Sequence, residues 1–103
     1  MSKSRKTLAT VLEIVSYETD VEITQIMSRR SDAETVDARW ICVRLLRELG
    51  YYPSKIAEMM RISPRYAQYI ITDFDDRILL NTLMRRNYET ARKRLRNNPE
   101  ETT

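Results

Sequence analysis

The segment KIAEMMRISPRYAQYII, residues 55–71, decides the fold. Apolar residues recur at helical spacing on both sides of a short break, RIS, and Pro64 follows that break at once. Ser63 is placed to cap a second helix, and Pro64 to take its first position, where a missing N–H costs nothing. Ile56, Met59 and Met60 mark the buried side before the break, and Ala67, Ile70 and Ile71 mark it afterwards. Helices that cross closely need a small residue at the crossing, and Ala57 supplies it. Two short helices joined by so tight a turn read as a helix-turn-helix. Its second helix leaves Arg65, Tyr66, Gln68 and Tyr69 facing outward. Arg matches guanine edges and Gln matches adenine, while Tyr can reach a phosphate or a thymine methyl. Glycine is usual in such a turn. Arg61 stands in its place, so a side chain is expected to bear the strain of a positive φ.

Outward from this segment, every long stretch has helical spacing and none alternates with a strand period. Leu8, Val11, Leu12 and Val15 predict a first helix over about 5–18. Asp20 is expected to cap a second, short one carrying Ile23, Ile26 and Met27, and SRRS, 28–31, makes a basic connection. Ser31 and Glu34 have the spacing of a capping box. The helix they open, AETVDARWICVRLLREL, ends at Gly50, where a left-handed cap is wanted. Its wide apolar face makes it the expected centre of a bundle, with Asp37, Arg44 and Glu48 on the wet side and Trp40 as a packing anchor. Ser54 is expected as the cap of the next helix. A long last helix, about 76–96, is expected to bury Leu80, Leu83, Met84, Tyr88, Ala91 and Leu95. Its basic run, Arg85 to Arg96, reads as a solvated face, or as a phosphate-contacting or dimerising one. Residues 1–97 thus form one all-α domain, and 98–103 a disordered tail.

Composition removes several classes of function. The single cysteine, Cys42, rules out an intrachain disulfide, and with no histidine the usual zinc ligand set is missing. The commonest general base is missing too, and one glycine is too few for a phosphate-cradling loop. No enzyme activity, cofactor or small-molecule substrate is expected. No apolar run is long enough for a membrane span, so the expected location is the cytoplasm. The formal net charge is only +3. Between Arg39 and Ile71, however, Arg39, Arg44, Arg47, Lys55, Arg61 and Arg65 oppose only Glu48 and Glu58.

The stretch IMSRRSDAETVDARWICVRLLRELGYYPSKIAEMM, 26–60, resembles the C-terminal DNA-binding domain of the bacterial replication initiator DnaA. The likeness runs from about Lys6 to Ile78: a short helix, a basic loop, a long helix opening near an arginine and closing on REL, then the first helix of a helix-turn-helix. It implies a compact, Trp-repressor-like bundle that reads duplex DNA. It also implies that Arg39 enters the minor groove, that Arg29 and Arg30 lie along phosphates, and that Ser54 and Lys55 sit where the helix-turn-helix begins. Where that family carries an Asp-His-Thr-Thr reading set, this chain has RISPRYAQYIITD, 61–73, so a different target sequence is implied. The expected function is therefore non-catalytic binding of double-stranded DNA in replication or transcription regulation, by a monomer or a homodimer. Arg65, Tyr66, Gln68 and Tyr69 would occupy the major groove and Arg39 the minor groove. Arg29, Arg30, Ser54, Lys55, Arg61 and Ser63 would hold phosphates. The alternative is a protein-interaction module that keeps the fold without the nucleic acid; the acids of DFDD, 73–76, and of the loop before Arg39 motivate it.

Overall fold

The computed structural model describes residues 2–98. Six α-helices follow one another: α1 (Lys3–Thr19), α2 (Ile23–Ile26), α3 (Ala33–Glu48), α4 (Pro53–Met60), α5 (Pro64–Leu79) and α6 (Thr82–Arg96). No strand occurs among the described residues, and the all-α bundle expected from the spacing is what forms. The expected tail lies outside the described residues, apart from Asn98. No helix among the described residues is long and apolar enough to cross a membrane.

The middle of the bundle is α3, which packs against every other helix. Its sequence accounts for that place, because Ala38, Trp40, Ile41, Cys42, Val43, Leu45 and Leu46 are all buried, covering nearly its whole circumference. All six helices add side chains to the one cluster around it, among them Val15, Ile26, Ile56, Phe74 and Met84. Each fully buried Leu or Ile side chain contributes about 1.5–3 kcal/mol. The wet side of α3 is roofed by ion pairs. Asp37 accepts from Arg77 Nε at 2.9 Å and Asn81 Nδ2 at 3.0 Å, and Arg44 bonds Glu48 at 3.0 Å and Asp75 at 2.9 Å. Arg92 and Arg94 of α6 pair with Glu48 and Glu18 at 3.0 and 2.7 Å, which fixes much of the basic last helix to the bundle.

Several helix ends differ from those expected. Asp20 does not cap α2. It ends α1 in the left-handed conformation, with φ 60°, and Glu22 opens α2 with its N–H bonded to Gln25 Oε1. The cap of α3 is Asp32, one residue past Ser31, and its carboxylate accepts from the Thr35 N–H at 3.2 Å. The cap of α4 is Tyr52, with Pro53 rather than Ser54 at the first helical turn's start. Gly50 performs as expected: at φ 103° it lets its own N–H reach Arg47 O and the Tyr51 N–H reach Leu46 O.

The largest difference lies in the second half of the chain. The apolar spacing of Ala67, Ile70, Phe74 and Ile78 continues through DFDD, so α5 is one unbroken helix to Leu79. Phe74 is fully buried. The break falls at Asn81, whose side chain caps α6 by accepting from the Met84 N–H at 2.9 Å. Leu80 and Leu83, expected in the core, are 94% and 64% exposed at this corner, while Met84, Tyr88, Ala91 and Leu95 are buried as expected.

The cap that opens α5 is Ser63, whose Oγ accepts from the Tyr66 N–H at 3.0 Å. Ser63→Ala is expected to lower the unfolding free energy by about 1 kcal/mol, read as a lower urea midpoint at unchanged m-value.

Candidate nucleic-acid interface

The turn between α4 and α5 is held by backbone geometry. The Ile62 N–H reaches back to Ala57 O at 3.0 Å, which requires Arg61 to be left-handed, at φ 58° and ψ 44°. An arginine here carries the strain expected of it. Ala57 is buried at the crossing, and Ile56, Met60, Ala67 and Ile70 tie both helices to the core. The first two turns of α5 then expose Arg65, Gln68 and Tyr69 and leave Tyr66 half-buried. Gln68 Nε2 donates to Thr72 Oγ1 at 3.2 Å, so its amide lies along the outer face of the helix.

Trp40 sets the two tyrosines. It is buried, as a packing anchor should be, and its indole N–H donates to the Tyr66 hydroxyl at 3.3 Å. Its ring meets Tyr69 edge-on at a centroid distance of 5.6 Å, and Arg77 stacks over it at 4.6 Å. The aromatic part of the exposed surface is therefore fixed from behind by α3. Of the two tyrosines after Gly50, Tyr51 packs against the core and Tyr52 is exposed.

Arg39 is not where the resemblance implied. It is only 5% exposed, and its guanidinium points back into the α2–α3 connection. Nε donates to Ile26 O at 3.0 Å, and Nη2 donates to Ser28 O at 2.7 Å and Arg30 O at 3.0 Å. A cation so committed to backbone carbonyls cannot reach a minor groove, so its expected place among the DNA contacts is corrected to a structural one. The spacing argument did place it at the edge of the apolar face, and what it does there is clamp the loop.

That clamp brings sequence-distant residues together. A groove is lined by Arg29 and Arg30 of the loop, by Arg61, Ile62 and Ser63 of the α4–α5 turn, and by Tyr66. A second cleft adjoins it through Met27 and Arg61 and is lined also by Ser2, Ser4, Arg5 and Lys55. Arg5 belongs to this surface although the spacing argument did not select it; the basic opening SKSRK, 2–6, was the available signal. Arg5, Arg29, Arg61 and Arg65 have no side-chain hydrogen bond or ion pair among the described residues. Arg30 pairs with Asp32 at 2.9 Å, and Lys55 stands 3.5 Å from Glu58. Ser54 and Ser63 are exposed, but the Ser63 hydroxyl oxygen is already used by the cap. Cys42 is fully buried, and burial pushes its thiol well above the usual range, so it is not poised as a nucleophile.

No protein-family model, no curated protein and no solved structure matches the chain. What the surface can do chemically is read from its own groups: unpaired guanidinium groups and the Tyr66 phenol at the groove, with an outward amide and the Tyr69 phenol exposed farther along α5. Such a set suits a phosphate-bearing polymer.

Two measurements check this geometry. Arg39→Met leaves three carbonyls without their donor and is expected to cost about 3 kcal/mol of stability, measured by urea unfolding. Asp32 is held down to about 2 by its hydrogen bonds from Arg30 and then Thr35. Its folded value lies below the ordinary 3.8, so its stabilising effect is complete above about pH 4 and is lost as pH falls through about 2. Carboxyl NMR titration should show that midpoint, and Arg30→Ala should raise it.

Proposed function

We propose that the chain binds double-stranded DNA without catalysis, using α4 and α5 as a helix-turn-helix. The observation that carries this reading is the meeting of Arg29 and Arg61, both unpaired, in one groove beside the amino end of α5. On this reading Arg65, Gln68 and Tyr69 enter the major groove, and Tyr66, held by Trp40, lines its edge. Arg29, Arg30, Lys55 and Arg61 hold phosphates, with Ser54 and Ser63 as neutral partners and Arg5 as an additional cation. The likeness to the DnaA DNA-binding domain enters as a proposal for the docking mode, without a minor-groove role for Arg39. Action in the cytoplasm and a part in replication or transcription control belong to the same proposal.

The rival interaction-module reading loses part of its motivation in the fate of three of the acids. Asp32 caps α3, Asp37 binds Arg77 and Asn81, and Asp75 pairs with Arg44. These three carboxylates serve the fold, while Glu34 and Asp76 stay exposed without an ion-pair partner among the described residues.

The test is duplex binding by fluorescence anisotropy over a salt series, on a duplex selected from a random pool and on an unselected one. Arg65→Ala is expected to cost about 1–3 kcal/mol on the selected duplex and to relax preference at one position, whereas Lys55→Ala weakens both duplexes alike. Arg61→Gly separates function from fold: it relieves the left-handed strain, so the thermal midpoint is expected not to fall, and it lowers the salt slope by roughly 0.9. Failure of the unaltered protein to retain either duplex at low salt would refute the proposal.

A further inference from the structure

The groove beside the α4–α5 turn has its hydroxyls committed from behind. Trp40 Nε1 can only donate, so in its 3.3 Å bond to Tyr66 the phenol oxygen accepts. The Tyr66 proton is left over, and no group among the described residues accepts it. Ser63 stands the same way: its Oγ accepts from the Tyr66 N–H at 3.0 Å and keeps its own proton. Ser28 differs, because its hydroxyl donates to Gln25 O at 2.6 Å and accepts from the Arg30 N–H at 3.1 Å. The Ser28 and Arg30 carbonyls are already taken by Arg39. No described carboxylate lines the groove, and Asp32, which holds Arg30 at 2.9 Å, is not part of its wall.

What remains is a concave surface with protons to give: the Arg29 and Arg61 guanidinium groups and the Tyr66 and Ser63 hydroxyls. They come from three places in the chain, namely the α2–α3 loop, the α4–α5 turn and the first turn of α5. A carboxylate holds its two oxygens in one plane and is best met by a single fork of donors. A phosphate spreads its acceptor oxygens around a tetrahedron and suits donors that arrive from several sides.

We propose that this groove is a phosphate subsite in which the Tyr66 hydroxyl donates to the anion beside the arginines, and that Trp40 is the positioning residue that turns the Tyr66 proton outward. The proposal rests on the duplex reading for the source of the phosphate, a backbone phosphodiester, while the subsite itself is tested separately with inorganic phosphate. A neutral phenol displaces no counterion when it binds. Tyr66 therefore adds affinity for any sequence without adding to the salt dependence.

Tyr66→Phe removes the hydroxyl and keeps the ring. It is expected to weaken the selected and the unselected duplex alike by roughly tenfold, at an unchanged salt slope. Trp40→Phe is expected to weaken both several-fold but to add nothing in the Tyr66→Phe background, where the bond it aims is gone. A Trp40 that only braced the fold would add its loss in both backgrounds. If Trp40→Phe loses its helical circular-dichroism signal, NMR of the unaltered protein carries the positioning claim, because Trp40 is the chain's only tryptophan and its indole N–H resonance is unambiguous. Duplex and inorganic phosphate should each shift that resonance, since an anion on the phenol proton polarises the bond behind it. The shift should largely vanish in Tyr66→Phe. A shift with duplex alone supports the proposal and identifies the polymer backbone as the source. Duplex affinity unchanged in Tyr66→Phe, or a loss confined to the selected duplex, overturns the subsite and leaves the DNA reading standing. A shift from acetate as large as that from phosphate at equal ionic strength overturns it in favour of an acidic peptide. If the unaltered protein retains no duplex but phosphate shifts the resonance through Tyr66, the subsite stands on free phosphate and only the DNA reading falls. A resonance that moves with neither removes the subsite.

Discussion

The arrangement of the basic surface rests on one buried guanidinium. The connection between α2 and α3 turns its Ile26, Ser28 and Arg30 carbonyls inward, and Arg39 donates to all three. The Ile26 carbonyl is buried and would cost about 1–3 kcal/mol without a donor, and the part-buried Ser28 and Arg30 carbonyls share the same guanidinium, so one multivalent donor holds the loop on this path. A lysine offers a compact ammonium on a flexible stem and not a planar fork fixed against several acceptors. The consequence reaches the surface. With its carbonyls occupied, the loop is set beside the α4–α5 turn, and Arg29 and Arg30 line the same groove as Arg61. One arginine is spent in placing two others.

The second organising element is α5, which is divided along its length. Its amino half exposes Arg65, Gln68 and Tyr69, and its carboxyl half carries Asp75 and Asp76 on the same outer face. The two ends stand apart by two to three turns, so the acids lie roughly 15 Å from Arg65 and beyond the Debye length at physiological salt. Pairing of Asp75 with Arg44 weakens their field further. Arg65, at the amino end of the outward ridge after Ser63, is therefore little affected by Asp75 and Asp76. Phe74 is what joins these halves: packed under Arg44 at 4.9 Å and edge-on to Tyr88 at 5.0 Å, it fixes the helix at its midpoint.

Most of the architecture was legible because periodicity reports burial. The central place of α3, the caps at Ser63 and Gly50, and the buried side of α4 all followed from spacing and from residues with one conformational use. The misplaced boundaries share a cause. Where two polar residues stand in line, as with Ser31 and Asp32, either can cap, and the choice depends on which carboxylate or hydroxyl also finds Arg30 and Thr35. Three acids around Phe74 hid a continuing apolar stripe, and the true break at Asn81 lacks the glycine or proline that announces most stops. The site was less legible than the fold. Exposure of Arg65 and Gln68 could be read from the helix face, but whether Arg39 points out or in depends on loop carbonyls that no periodicity describes. Arg5 was hidden for the opposite reason: it lines the adjoining cleft from α1, and only tertiary packing makes those neighbours.

The left-handed turns sharpen the argument about Arg61. Three described residues have positive φ: Asp20, Gly50 and Arg61. At Gly50 the conformation is nearly free, and at Asp20 a short polar side chain tolerates it. Arg61 has neither advantage, and the left-handed conformation costs an ordinary side chain about 1–2 kcal/mol. Glycine would satisfy the same backbone bonds from Ile62 to Ala57 with less strain. The packing does not demand an arginine either, because the side chain is exposed and bonded to nothing. What arginine adds at this position is a mobile guanidinium on the rim of the groove, at the mouth shared with the Arg5–Lys55 cleft. Strain kept where stability gains nothing is an observation from which a function can be inferred, and here it points to the same surface that Arg29 and Arg65 define.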